Sequence, residues 1–163
     1  MKWSMVYLKQ LFDSTSPRGN SMKARVCKSI EFDAAHRLFN YSGKCFNLHG
    51  HRYRVDFEFE GHPDERGIVM DFSLISKMTK NWIDENWDHN VLLHREDPLV
   101  GIIDCKKLGM SPFFICDGNP TAEFMAEYLY HKITMISVQV KVIASLRKVR
   151  VYETPTCYAE FKI

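Results

Sequence analysis

The feature that most constrains the fold is a run of alternating apolar and charged residues at positions 52–60. The apolar set is Tyr53, Val55, Phe57 and Phe59, and the charged set is Arg52, Arg54, Asp56, Glu58 and Glu60. Alternation with a period of two predicts a β-strand that has one buried face and one polar face. The same parity, continued backwards, places His49 and His51 on the apolar side.

A second alternating run at positions 25–34 predicts another half-buried strand, in which only Lys28 interrupts the apolar face. Extending this strand places His36 on its apolar side as well. If the two strands pair, three imidazoles converge on one point, whereas any one of these histidines alone would be an ordinary core or surface residue. Three neutral imidazoles make a natural zinc site, because they leave a fourth coordination position open.

The remaining pattern predicts two helices and two further strands. Asp71 caps a helix that ends near Asn86, and Asn119 with Pro120 begins the second. The apolar positions of the first helix are Leu74, Ile75, Met78, Trp82 and Ile83. Residues 94–118 form a long excursion with one short strand at PFFIC, and two strands close the chain. The order predicts an α+β fold with a four-stranded antiparallel sheet and two helices packed on one face.

Length and composition favour one globular domain, since 163 residues with 45% hydrophobic and 26% charged residues match an ordinary folded chain. We expect residues 1–21, which end in the loop-forming DSTSPRGNS, to be an N-terminal extension of a domain spanning 22–163. Scattered charges with a net +2 argue against nucleic-acid binding, and no apolar run is long enough to span a membrane. Five cysteines indicate reduced thiols, so we expect a cytoplasmic protein.

Two motifs near the histidines carry further reactive groups. Cys45, four residues before His49, is either a fourth metal ligand in a closed structural site or a thiolate base beside the metal. Asp88 and His89 follow the first helix. They are either a loop cap or a general acid–base pair in which the aspartate orients the imidazole.

Glu153 shares the parity of Val149 and Val151, which places a carboxylate on the apolar face of a closing strand. A buried carboxylate needs a partner, such as Lys, Arg, or the paired N–H groups of a pterin or guanine. Thr121 and Glu123 stand at the start of the second helix, where both residue types favour the helix N-terminus.

Six ordered motifs give these residues a family context: FDAAHRL, CFNLHGHRY, VMDF, WDHN, NPTAE and VYET. Over about residues 22–163 the chain resembles the 6-pyruvoyl- and 6-carboxy-tetrahydropterin synthase family. The resemblance implies the tunnelling fold, whose subunits join their sheets into a barrel, commonly as a homohexamer made from two trimers. Active sites would then lie between subunits.

The resemblance also implies roles for individual residues. His36, His49 and His51 would hold Zn²⁺, and Cys45, Asp88 and His89 would be catalytic. Glu153 would anchor the pterin, with Thr121 and Glu123 as neighbours in the substrate pocket. The substrate would be 7,8-dihydroneopterin triphosphate, and the reaction would be that of a lyase without an organic cofactor.

Three functions therefore compete. The three-residue gap between Cys45 and HGH looks like the 6-carboxy enzymes of queuosine biosynthesis, which release acetaldehyde and triphosphate. The runner-up is the pyruvoyl synthase reaction on the same substrate. The third is a noncatalytic zinc-stabilised binding module. Residues 90–93 and the excursion at 94–118 depart from the family pattern.

Overall fold

The computed structural model describes residues 22–163, so the predicted extension at 1–21 lies outside the described part. Its elements in chain order are β1 (Ala24–His36), a 3₁₀ turn (Lys44–Phe46), β2 (His49–Gly61), α1 (Phe72–Asn86), β3 (Asn90–His94), α2 (Pro98–Ile102), β4 (Phe114–Cys116), α3 (Ala122–Gln139), β5 (Ser145–Thr154) and β6 (Cys157–Lys162). None of the helices within 22–163 is long and apolar enough to cross a membrane.

Within residues 22–163 the strands form one mixed sheet of six in the order β4-β3-β1-β2-β5-β6, which confirms the α+β class. The two alternating runs pair antiparallel over their full length, from Ala24 opposite Gly61 to His36 opposite His49. β5 and β6 extend the sheet antiparallel on the β2 side. The four strands that the sequence predicts are therefore β1, β2, β5 and β6, which lie side by side in the sheet.

The prediction of four strands was wrong in number, because β3 and β4 add to the other edge in parallel. β3 follows α1 almost directly and pairs with the end of β1 from Ala34 to His36. Two consecutive residues of β3, Leu92 and Leu93, are both buried. Consecutive buried residues show no alternation, so the pattern that reveals the longer strands is missing here. The short strand expected at PFFIC is present as β4.

Helices α1 and α3 pack on the apolar face of the sheet and enclose the core with the inward side chains of β2 and β5. As predicted, Asp71 caps α1 by accepting a hydrogen bond from Ser73 N, and the helix ends at Asn86. Ile75, Met78 and Ile83 are buried, but Leu74, which was expected on the same face, is 37% exposed.

The second long helix begins later than predicted, with Thr121 rather than Asn119 as its N-cap. The amide of Asn119 is used elsewhere: its Oδ1 accepts from Phe39 N at 2.7 Å, and its Nδ2 donates to Phe39 O at 3.0 Å. The carbonyl of Pro120 accepts a hydrogen bond from His36. Residues 119–120 therefore tie the start of α3 to the end of β1.

Candidate metal and catalytic site

The strand pairing brings the three histidines together. His36 lies directly opposite His49, and Ala34 lies opposite His51, so all three imidazoles project from one end of the β1–β2 pair. The Nε2 atoms of His36 and His49 are 3.2 Å apart, and one ligand atom from each histidine lies within 4.8 Å of the others. Parity in the sequence predicts this convergence, and the structure confirms it.

Hydrogen bonds fix which nitrogen faces inward in two of the three rings. His36 Nδ1 lies 2.7 Å from Pro120 O, and His49 Nδ1 lies 2.7 Å from Asn47 O. A carbonyl oxygen only accepts, so each Nδ1 carries the proton and each neutral ring presents the lone pair of Nε2. His51 Nε2 is buried and has no hydrogen-bond partner among the described residues.

This arrangement fits a bound cation. Two facing Nε2 lone pairs at 3.2 Å repel each other unless a positive charge lies between them. Burial lowers the pKa of His36 and of His51, although the nearby Glu153 carboxylate opposes this effect. Burial thus favours the neutral, metal-binding form of His36 and His51. The carbonyl contacts of His36 and His49 are of the kind that orient metal ligands.

Gly50, between His49 and His51, lies where the two strands pack closely. A Cβ atom at this position would lie 3.2 Å from the carbonyl oxygen of Ala34, which is backbone and cannot rotate away. We expect Gly50→Ala to lower the free energy of unfolding of the metal-free protein by about 1–3 kcal/mol, measured as a lower urea midpoint.

The matched control for this prediction is Gly101→Ala in α2. No atom lies within 4 Å of the added Cβ there, so the change should be neutral or slightly stabilising. Equal urea midpoints for Gly50→Ala and the wild type would contradict the prediction, because they would show that β1 and β2 accommodate the added Cβ without loss of stability.

A cavity of about 280 Å³ adjoins the histidine cluster. Among the residues that line it are His36, Cys45, Thr121, Glu123 and Glu153. A larger cavity of about 550 Å³ lies near the other end of β2. Its charged residues are largely paired with one another, as in Arg66–Asp64 and Arg147–Glu60. Of these two cavities, the smaller one combines a candidate metal ligand, a thiol and two carboxylates.

Glu153 lies at an irregularity in the pairing of β5 with β6, and its carboxylate is close to the histidine cluster. Tyr152 pairs with Tyr158 and Thr154 pairs with Cys157, which leaves Glu153 as the additional residue of a β-bulge. Its Oε1 lies 3.3 Å from His36 Nε2 and 3.7 Å from His51 Nε2. The carboxylate expected from parity thus lies against the histidine cluster, where an unprotonated His36 Nε2 offers it no hydrogen bond.

Cys45 is held in the 3₁₀ turn Lys44–Phe46, where its carbonyl accepts a hydrogen bond from Leu38 N at 2.8 Å. Its side chain is partly buried and lines the cavity, but Cys45 is not a member of the histidine cluster. Thr121 and Glu123 line the same cavity from the first turn of α3. The Thr121 hydroxyl also accepts from Phe124 N as the helix cap.

Asp88 and His89 are in contact although they are adjacent in sequence. His89 has a positive φ of 56°, in the left-handed region, and its Nδ1 lies 3.0 Å from Asp88 Oδ1. Backbone hydrogen bonds with Asp33 hold both residues in place. The imidazole is 79% exposed, and neither residue lines the cavity of its own chain.

Tyr53, two residues after His51, was predicted to share the apolar face of β2 but was not predicted to belong to the site. Its side chain is fully buried, its ring contacts His36 and His51 with centroid separations of 5.9 and 5.6 Å, and its hydroxyl has no partner among the described residues. Burial, together with the charges of Glu153 and Cys45, raises the pKa of Tyr53. The alternation at 49–53 was the signal that pointed to it.

Comparison with known proteins agrees with this architecture. The solved structure of an uncharacterized Wolinella succinogenes protein matches with a TM-score of 0.73 at 22% identity, over 87% of this chain and 99% of the other. The 6-pyruvoyl tetrahydropterin synthase of Caenorhabditis elegans matches with a TM-score of 0.63 at 24% identity, over 87% and 96%. At these identities the likeness establishes the tunnelling fold alone.

Relatives in sequence identify the family. A Rickettsia conorii protein named 6-carboxy-5,6,7,8-tetrahydropterin synthase is 39% identical over 141 residues, which cover 83% of this chain and 98% of the relative. A Haemophilus influenzae protein of the same name is 29% identical over 146 residues, covering 85% and 98%. The family model described as 6-pyruvoyl tetrahydropterin synthase matches residues 25–163, which contain every site residue above. The chain therefore belongs to the 6-pyruvoyl tetrahydropterin synthase family.

Proposed function

We propose that this protein is a zinc-dependent lyase that converts 7,8-dihydroneopterin triphosphate to 6-carboxy-5,6,7,8-tetrahydropterin, acetaldehyde and triphosphate, in the cytoplasm and in the queuosine pathway. The observation that carries the proposal is the cluster of three inward-facing histidines beside a cavity that also contains Cys45 and Glu153. The names of the relatives in Rickettsia and Haemophilus support the 6-carboxy product.

Zinc is the metal that the donor set favours. Two nitrogens bound to one tetrahedral zinc at about 2.0–2.1 Å lie roughly 3.3 Å apart. The His36 and His49 Nε2 atoms, 3.2 Å apart, have nearly this spacing before any metal is added. Three imidazoles leave a position for substrate, where bound zinc would act as a Lewis acid toward the side-chain hydroxyls of the pterin.

Protein groups would move the protons. Cys45, as a thiolate at the cavity wall, would remove a proton from the substrate side chain. His89, oriented by the 3.0 Å contact with Asp88, would donate or accept the second proton. Glu153 would bind the paired N–H groups of the pterin ring, and Thr121 and Glu123 would border the ring.

We further propose that the active site is completed by a second copy of the chain in a homohexamer of two trimers. The exposed position of His89 and its absence from the cavity of its own chain support this arrangement. Both edges of the sheet, β4 and β6, are also unpaired on their outer sides among the described residues. Joining such edges between copies would close the sheets into a barrel.

The proposal is tested by incubating zinc-loaded protein with 7,8-dihydroneopterin triphosphate under anaerobic conditions, with mass spectrometry of the pterin and an acetaldehyde assay. We expect 6-carboxy-tetrahydropterin and acetaldehyde in equal amounts, and neither product from protein stripped of metal. A pyruvoyl product without acetaldehyde would assign the runner-up reaction, after which the family is named. Unchanged substrate from an assembled, zinc-loaded sample would exclude both reactions.

A further inference from the structure

The three residues that follow His36 connect the end of β1 to three separate segments. Arg37 Nε lies 2.7 Å from Asp97 Oδ2, Leu38 N donates to Cys45 O at 2.8 Å, and Phe39 exchanges two hydrogen bonds with Asn119. The Phe39 ring also stacks on His94, with ring centroids 5.4 Å apart. The excursion after β3 is therefore attached to the turn that carries Cys45.

The Arg37–Asp97 ion pair is the buried part of this connection. The side chain of Asp97 has no exposed surface, and that of Arg37 is 14% exposed. Arg37 Nε and Asp97 Oδ2 make no hydrogen bond of good geometry among residues 22–163, so their 2.7 Å contact is an ion pair. Asp97 Oδ1 caps α2 by accepting from Leu99 N. Each charge thus depends on the other, because a buried charge without its partner is strongly unfavourable.

The Arg37 guanidinium also reaches the residue beside Cys45. Its Cζ lies 4.6 Å from the centre of the Phe46 ring, in a cation–π contact. Phe46 is 44% exposed and belongs to a 3₁₀ turn that contains no buried residue. Core packing therefore contributes little to the position of this turn, and the contact with Arg37 is one of the few that fix it.

We propose that Asp97 is a positioning residue that acts through Arg37 and Phe46 to hold the Cys45 turn against the cavity. The excursion at 94–118 then has a role in the active site although its own side chains stay outside the cavity. The proposal rests on the catalytic role proposed for Cys45, but the position of the thiol can be measured without substrate.

The test is Asp97→Asn, which keeps the size of the side chain and the oxygen that caps α2 while removing the charge. Zinc-loaded protein is treated with iodoacetamide, and alkylation of Cys45 is followed by mass spectrometry of the tryptic peptide 45–52. We expect alkylation to accelerate several-fold as the turn loosens, with zinc content unchanged. The kcat should fall roughly 10- to 100-fold with little change in KM, as for a catalytic group displaced by about 1 Å.

Asp117→Asn is the matched control, because Asp117 is an exposed acid of the same excursion that pairs with Arg95. It should leave both the alkylation rate and kcat unchanged. Phe46→Leu removes the cation–π contact at an exposed position, so it tests the same connection even if Asp97→Asn fails to fold. Wild-type alkylation rates in Phe46→Leu, or in folded Asp97→Asn, would overturn the proposal. Wild-type protein without turnover would instead contradict the proposed function and leave the alkylation test valid.

Discussion

Replacing Cys45 with alanine is expected to lower kcat by roughly 10²- to 10⁴-fold, the usual contribution of a general base, while the protein keeps its metal. The reason is geometric: the thiol lines the cavity beside the histidine cluster without being part of the cluster. The measurement pairs the acetaldehyde assay with metal analysis of the same sample.

The control for this prediction is Cys27→Ala, whose exposed side chain lies on the opposite, polar face of β1. It should retain full turnover and metal. If Cys45→Ala instead lost the metal and unfolded, Cys45 would be a fourth ligand and the noncatalytic binding module would become the better interpretation.

Replacing His51 with alanine is expected to abolish tight metal binding and turnover together. His51 is the cleanest candidate ligand to remove, because its Nε2 has no hydrogen-bond partner within 22–163, whereas His36 and His49 each donate to a backbone carbonyl. At a free zinc concentration 1,000 times the wild-type Kd, zinc should stabilise the wild type by about 4 kcal/mol and the variant far less.

Thermal unfolding with and without zinc measures this difference, and His62→Ala provides the control. His62 follows the far end of β2 and lies outside the three-histidine cluster. It should respond to zinc as the wild type does. An equal zinc response in His51→Ala would remove His51 from the metal site and require another donor in its place.

The parts of the fold that the sequence predicted are those with a regular period. Alternation located β1 and β2 and placed His36 on the same face as His49 and His51. Helical spacing and the Asp71 cap located α1 to its last residue. These features follow from local geometry, so they are visible in one sequence without knowledge of the neighbours.

The parts that the sequence could not predict depend on contacts between distant segments. β3 was missed because its buried residues are consecutive, and the start of α3 was misplaced because Asn119 bonds to Phe39 rather than to its own helix. The contact between Asp88 and His89 required a left-handed backbone at His89, which strand parity does not anticipate. The ion pair between Arg37 and Asp97 joins two residues that are far apart in the chain, so no local sequence pattern predicts it.

The register between β1 and β2 has one more consequence. Side chains alternate between the two faces, so a slip of one residue in β1 would turn His36 toward the polar face and separate it from His49. Such a mispaired chain would keep most of its backbone hydrogen bonds yet lose the cluster of three histidines. If the cluster binds zinc as proposed, metal capture would favour the correctly paired strands during folding, and zinc affinity would report on the alignment of the sheet.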